Sequence, residues 1–144
     1  MSTLELIITI SIIVILSSIC FMKYEGDNYK IEFFARELCS DIRYVRRENM
    51  LNNQNVYIKF LNENNKWSYI LHKNKKEDKR VHLPKNVKLN FPIGQNNSLI
   101  SFYTSGLYKN GGGTISINKS DNYKYITIVP VSGRVLYKEG IYEN

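Results

Sequence analysis

Residues 6–22 read LIITISIIVILSSICFM, with no charge and no strong helix breaker. Together with residues 1–4 this makes about twenty-two residues interrupted by a single charge, Glu5. An α-helix rises about 1.5 Å per residue, so roughly twenty residues cross the ~30 Å hydrocarbon core of a bilayer. Three readings of the run compete. A buried core helix would carry an amphipathic stripe, and here every face is apolar. A cleaved secretory signal would open on a basic region and close on small residues. The first Lys is Lys23, after the run, and Ser18 and Cys20 form no A-x-A site. A lasting membrane helix fits length and composition best. Nothing basic precedes it, while Lys23, Lys30 and the basic remainder would favour the opposite orientation. A short basic leader is therefore expected ahead of Met1, either cleaved or omitted by a start assigned too late.

Beyond Met22 the pattern changes twice. After the polar Glu25-Gly26-Asp27-Asn28, apolar residues recur at Ile31, Phe34, Leu38, Ile42 and Val45, steps of three and four that define one helical stripe. The other face carries Lys30, Glu32, Arg36, Glu37, Asp41, Arg43, Arg46, Arg47 and Glu48, which predicts a mixed solvated surface. Gly26 is expected to bend or locally melt this helix, since Gly costs about 1 kcal/mol relative to Ala inside one. The cluster Asn52-Asn53-Gln54-Asn55 is expected to end it. From there the period falls to two. Runs of β type cover 56–60, 67–72, 80–83, 87–91, 99–103, 114–118, 124–129 and 134–138, separated by Asn, Gly, Pro and Asp clusters. Eight short strands predict two small antiparallel sheets or a twisted sandwich packed on the helix, an α+β fold. The expected organisation is an assembly helix at 1–24, its amphipathic extension at 25–53 and an extracytoplasmic β head at 54–144.

Ser2, Leu4, Glu5, Leu6 and the Ile/Val-rich run resemble the N-terminus of mature type IV pilins and pseudopilins, whose mature chains begin with a methylated, usually aromatic residue and carry an acidic residue at the fifth position. Glu5 falls in that register if Met1 is the first mature residue; the terminal Gly of a leader is absent and Met1 replaces the common Phe. A carboxylate at the edge of a membrane helix is costly to bury and implies a partner. The plainer alternative is a solvated charge in the headgroup layer, favoured by the helix dipole. The resemblance implies that Glu5 pairs with the free N-terminal amine of an adjacent subunit, making Met1 and Glu5 the assembly residues.

Further along, Ala35-Arg36-Glu37-Leu38-Cys39-Ser40-Asp41-Ile42-Arg43-Tyr44-Val45-Arg46-Arg47-Glu48-Asn49 resembles the GspH/FimT-like minor pseudopilins, in which a helix of the form L-x-x-D-(L/I)-R-x-(A/V)-R-x-E precedes an Asn-rich turn and a strand such as Asn55-Val56-Tyr57-Ile58. Ile100-Ser101-Phe102, Ser105-Gly106, Gly112-Gly113-Thr114-Ile115, Ile126-Thr127-Ile128 and Ser132-Gly133-Arg134-Val135 follow that family's order. The resemblance implies a pilin-like fold. It also implies a minor subunit of a type II secretion, type IV pilus or competence filament, placed at or near the tip. The implied partners are other pilins or pseudopilins, a prepilin peptidase, the inner-membrane assembly platform and membrane lipid, with the head extracytoplasmic on a single-pass inner-membrane anchor. Some FimT-like members that bind DNA carry Gly-Arg-x-Arg near the C-terminus. Here the residues are Gly133-Arg134-Val135-Leu136, and the second Arg is missing.

Residues 51–144 hold fourteen Lys and Arg against six Asp and Glu, a net charge of +8. Such a surface attracts phosphate irrespective of nucleic-acid sequence. Lys73, Lys75, Lys76, Lys79, Arg80 and Arg134 are the candidate nucleic-acid contacts, with Tyr103, Tyr108, Tyr123 and Tyr125 as stacking residues if exposed. The plain reading is solvated loop charge and tyrosines that pack across a sheet. Catalytic groupings are lacking in the sequence. His72 and His82 form no recognisable pair, and Cys20 and Cys39 stand about 28 Å apart on a continuous helix, too far for a disulfide. Two such cysteines make no metal site. Gly111-Gly112-Gly113 lacks the Lys-Ser/Thr of a phosphate loop and reads as a turn. The chain is expected to be non-enzymatic, with no cofactor. Two function classes remain, a structural assembly subunit and a filament-tip module that binds extracellular DNA; a single-pass anchored domain that never polymerises is the third possibility.

Overall fold

The structure, a computed structural model, describes residues 2–64, 66–74, 78–91, 99–119 and 122–140, with the side chains of 20–28 outside the described set. Helix α1 spans Thr3–Met50, and its backbone is helical through Gly26. Ser2 caps it: its Oγ accepts a 3.2 Å hydrogen bond from the Leu4 N–H, and Glu5 lies in the first turn, at the positive end of the helix dipole. The chain divides into two compact units, residues 1–30 and 31–144.

In the first unit the apolar side chains have no core to enter. Eleven large aliphatic residues between Leu4 and Ile19 are exposed, on every face of the helix. The hydroxyls of Thr9, Ser11, Ser17 and Ser18 donate at 2.8–2.9 Å to the carbonyls of Leu6, Ile7, Ile13 and Val14. Each polar side chain of the run other than Glu5 is thus satisfied by the helix's own backbone. Among the described residues no helix is long and apolar enough to cross a membrane. The run at 6–22 read from the sequence continues past Ile19 into side chains outside the described set.

The second unit begins with the amphipathic part of α1. Ile31, Phe34, Ala35, Leu38, Ile42 and Val45 are all buried, the stripe set by steps of three and four. The helix stops at an Asn-built cap. Asn52 takes a left-handed φ of 69°, its N–H bonds the Asn49 carbonyl, and the Asn53 N–H reaches back to the Glu48 carbonyl. This is a Schellman closure with Asn in the place Gly usually takes.

Eight strands follow: β1 Tyr57–Glu63, β2 Lys66–His72, β3 Lys79–His82, β4 Lys88–Asn90, β5 Leu99–Ile100, β6 Gly113–Lys119, β7 Asn122–Ile128 and β8 Val135–Glu139. They form two four-stranded antiparallel sheets, ordered β3-β2-β1-β5 and β4-β6-β7-β8. Each run of period two in the sequence corresponds to one strand; that at 99–103 shortens to two residues, with Phe102 bridging Tyr108 beyond it. Alternation places Ile58, Phe60, Tyr69, Leu71 and Ile100 of the first sheet in the core with Ile115, Ile117, Ile126 and Ile128 of the second and the apolar stripe of α1. The α+β class and the pair of antiparallel sheets are those expected.

Candidate functional site

The charged face of α1 is less solvated than its sequence predicts. Asp41 is buried, and its carboxylate accepts 2.7 Å from the Tyr69 hydroxyl and 2.8 Å from Lys79 Nζ. Glu37 also pairs with Lys79, at 2.9 Å. Burial would lower the Lys79 pKa, but hydrogen bonds and charge from Asp41 and Glu37 outweigh it and hold the ammonium above its usual range. Burial, then the charge and hydrogen bond of Asp41, push the Tyr69 phenol up strongly.

Two arginines one turn apart tie the helix to β8 and to two turns. Arg43 donates to the Val135 carbonyl from Nε at 3.3 Å and Nη2 at 3.0 Å. Arg46 donates from Nε to the Gly106 carbonyl and from Nη2 to the Ser132 carbonyl, each at 3.1 Å. The turns it joins approach so closely that a Cβ added at Gly133 would overlap the Gly106 carbonyl oxygen. Both glycines have positive φ, 79° and 61°, so two constraints exclude side chains there. A turn below the cap, Asn49 is fully buried and makes three further ties. Its amide N–H groups reach the Asn53 and Val56 carbonyls at 2.9 Å, and its Oδ1 accepts 2.7 Å from the Phe102 N–H. The charged residues of the helix motif thus act as internal fasteners for the turns that the other motifs supply.

The candidate nucleic-acid residues are dispersed among other tasks. Lys79 is held by two carboxylates and Arg80 by Glu63 at 2.8 Å. Lys73 Nζ lies 6.0 Å over the Tyr44 ring, and Lys75 and Lys76 lie outside the described residues. Arg134 is exposed on a groove of about 380 Å³ shared with Arg43, Arg46, Val135 and Leu136. Of the four tyrosines, Tyr108 is buried, Tyr123 and Tyr125 stack on one another, and Tyr103 is exposed. The glycines at 111 and 112 form a turn of positive φ that leads into β6. Cys39 is a buried free thiol whose pKa burial raises, which leaves it unreactive. Met1 lies outside the described residues; Glu5 is exposed, and no described residue pairs with its carboxylate.

Among solved structures, the minor pseudopilin EpsH from the type 2 secretion system of Vibrio cholerae is similar to this chain, with a TM-score of 0.57. The match covers 76% of this chain and 97% of that one at 14% identity. The fold is that of a minor pseudopilin. At this identity the likeness is one of fold. No family model and no curated protein matches the sequence. Within the minor-pseudopilin fold, sequence reasoning missed the part played by Arg43, Arg46 and Asn49. Their signal was spacing: Arg43, Arg46 and Asn49 recur every three residues beside the stripe, as residues that face the sheets must.

Proposed function

We propose that this chain is a minor pseudopilin, a non-enzymatic subunit that sits in the inner membrane by its N-terminal helix and enters a type II secretion or type IV pilus-like filament near its tip. The observation that carries this reading is the pairing of such a head with a helix whose eleven large aliphatic side chains are exposed on all faces. A fully buried Leu or Ile is worth about 1.5–3 kcal/mol relative to an exposed one. A helix of this kind therefore has to be covered by lipid or by other helices. Glu5 alone breaks that surface. In lipid its charge calls for a cation, and the N-terminal amine of a neighbouring copy or of another pseudopilin is the partner that leaves no further charge in the membrane. Removal of a leader by a prepilin peptidase, with Met1 as the first mature and N-methylated residue, would supply that amine.

The test is incorporation. Intact mass and N-terminal sequencing of the subunit from membranes and from sheared filaments should find a chain that begins at N-methylated Met1 in both. Glu5→Ala should still insert into membranes yet be missing from filaments. Normal incorporation of that variant would remove the role assigned to Glu5, and an unprocessed chain confined to membranes would leave a simple anchored domain.

A further inference from the structure

The described head buries or half-buries most of its large apolar residues; the exposed ones are Phe33, Met50, Leu51, Tyr103, Leu107 and Val131. Five of these six fall on three segments that Arg46 holds together. Met50 and Leu51 close the helix. Tyr103 and Leu107 flank a tight turn, closed by the Tyr103 N–H to the Leu107 carbonyl and the Gly106 N–H to the Tyr103 carbonyl, each at 2.8 Å. Val131 tops the turn in which the Gly133 N–H bonds the Val129 carbonyl at 2.8 Å. Gly106 brings these parts into contact: a Cβ there would lie 2.9 Å from Met50 Sδ and 3.1 Å from Arg46 Nη2. Val131 is 88% exposed, beside the Ser132 whose carbonyl Arg46 grips.

The rim of this patch is cationic. Lys109 Nζ lies 5.7 Å over the Tyr103 ring and the exposed Arg134 follows Gly133, while Arg47, one turn before Leu51, is paired with Glu48 at 3.8 Å. Described head carboxylates are meanwhile already engaged: Glu32 to Arg36, Glu37 and Asp41 to Lys79, Glu48 to Asn53 and Arg47, Glu63 to Arg80, Asp78 to His72 and Glu139 to Lys124. A second copy of this head therefore brings like charge and no described carboxylate to spare. A lipid surface accepts any array of apolar tips and requires no fixed shape. Here the tips stand on turns locked by positive-φ glycines and an arginine clasp, the preorganisation that favours a shaped protein partner.

We propose that Met50, Leu51, Tyr103, Leu107 and Val131, rimmed by Lys109 and Arg134, form a docking surface for a different protein that presents apolar side chains flanked by free carboxylates. The surface belongs to the head and goes beyond helix-mediated assembly.

The test places the photoreactive residue benzoylphenylalanine at Val131, at Leu107 and, as a control, at the exposed Lys85, in the full chain in the cells that make it. The first two sites should give a discrete adduct with one other protein, absent from the control, and peptide mapping should find an apolar segment flanked by Asp or Glu. Joint Lys109→Glu and Arg134→Glu substitution should lower the adduct yield about tenfold, the equivalent of one decade in affinity. Converting the mapped carboxylates to Lys should restore it. Joint Lys109→Gln and Arg134→Gln substitution repeats the test without adding charge, and unchanged far-UV circular dichroism shows that each variant folds. Adducts with lipid alone, adducts of the chain with itself alone, no adduct, or a protein adduct indifferent to these charges would each overturn the proposal.

Discussion

The Tyr69 hydroxyl donates a 2.7 Å hydrogen bond to the Asp41 carboxylate, joining the middle of β2 to the helix beneath it. A hydrogen bond to a charged acceptor contributes about 1.5–3 kcal/mol net. Tyr69→Phe should therefore destabilise the head by about 2 kcal/mol in urea unfolding at neutral pH. Tyr69 titrates near 10.0 when unfolded and well above that when folded. A raised folded-state pKa gives stability that is whole below pH 10 and lost as pH rises beyond it. Above pH 10 the native chain should lose stability more steeply than Tyr69→Phe; equal slopes would show that this phenol is not the group that titrates.

Arg46 should be needed for the two turns it bridges. Arg46→Ala removes two charged hydrogen bonds and should cost about 2–3 kcal/mol in denaturant midpoint analysis, with Arg46→Lys intermediate. Gly133→Ala meets both a steric overlap and a left-handed backbone, and should cost at least about 2 kcal/mol.

Asn49→Ala would strand the buried Phe102 N–H and two carbonyls. The expected loss is about 3 kcal/mol, near the top of the range for single substitutions. Asn49→Asp should be no better, because it keeps the acceptor for Phe102 but loses both donors and buries a charge. Thermal unfolding of the three proteins side by side checks the order.

Lys79 distinguishes structural from nucleic-acid roles for the basic residues of sheet one. Lys79→Ala breaks a part-buried pairing with Glu37 and Asp41 and should lower stability by about 1–2 kcal/mol. It should leave the salt dependence of any DNA binding unchanged, since this ammonium is already neutralised. A salt slope reduced by about one unit would instead mark a phosphate contact.

Much of the head was legible because period carries burial. Ile31 to Val45 at helical steps and Ile126, Ile128 at alternate positions had to face a core, and their register left little choice. The Asn cluster after Met50 likewise read as a stop, and the structure gives its mechanism in Asn52. Charged residues were harder. Asp41, Arg43 and Arg46 look like solvated surface in one dimension, because their partners (Tyr69, Val135, Gly106 and Ser132) lie far along the chain. The same separation scattered the candidate DNA-binding group: Lys79 and Arg80 follow Lys73 within seven residues, yet acidic residues from α1 and β1 claim them. The exposed patch around Val131 was invisible for a similar reason, since the end of the helix and two distant turns build it.

The hydroxyls of Thr9, Ser11, Ser17 and Ser18, bonded back to Leu6, Ile7, Ile13 and Val14, have a mechanical consequence. Between Leu6 and Ile19 they leave a neighbouring helix no free hydroxyl proton to accept. Hydrocarbon packing fixes how close two such helices lie but hardly how far one has slid along the other. A slip of one turn exchanges Ile8 for Ile12, or Ile15 for Ile19. In a filament built on these helices, the pairing proposed for Glu5 would set axial position, giving a lattice that yields along its length and returns to register wherever that charge finds its partner.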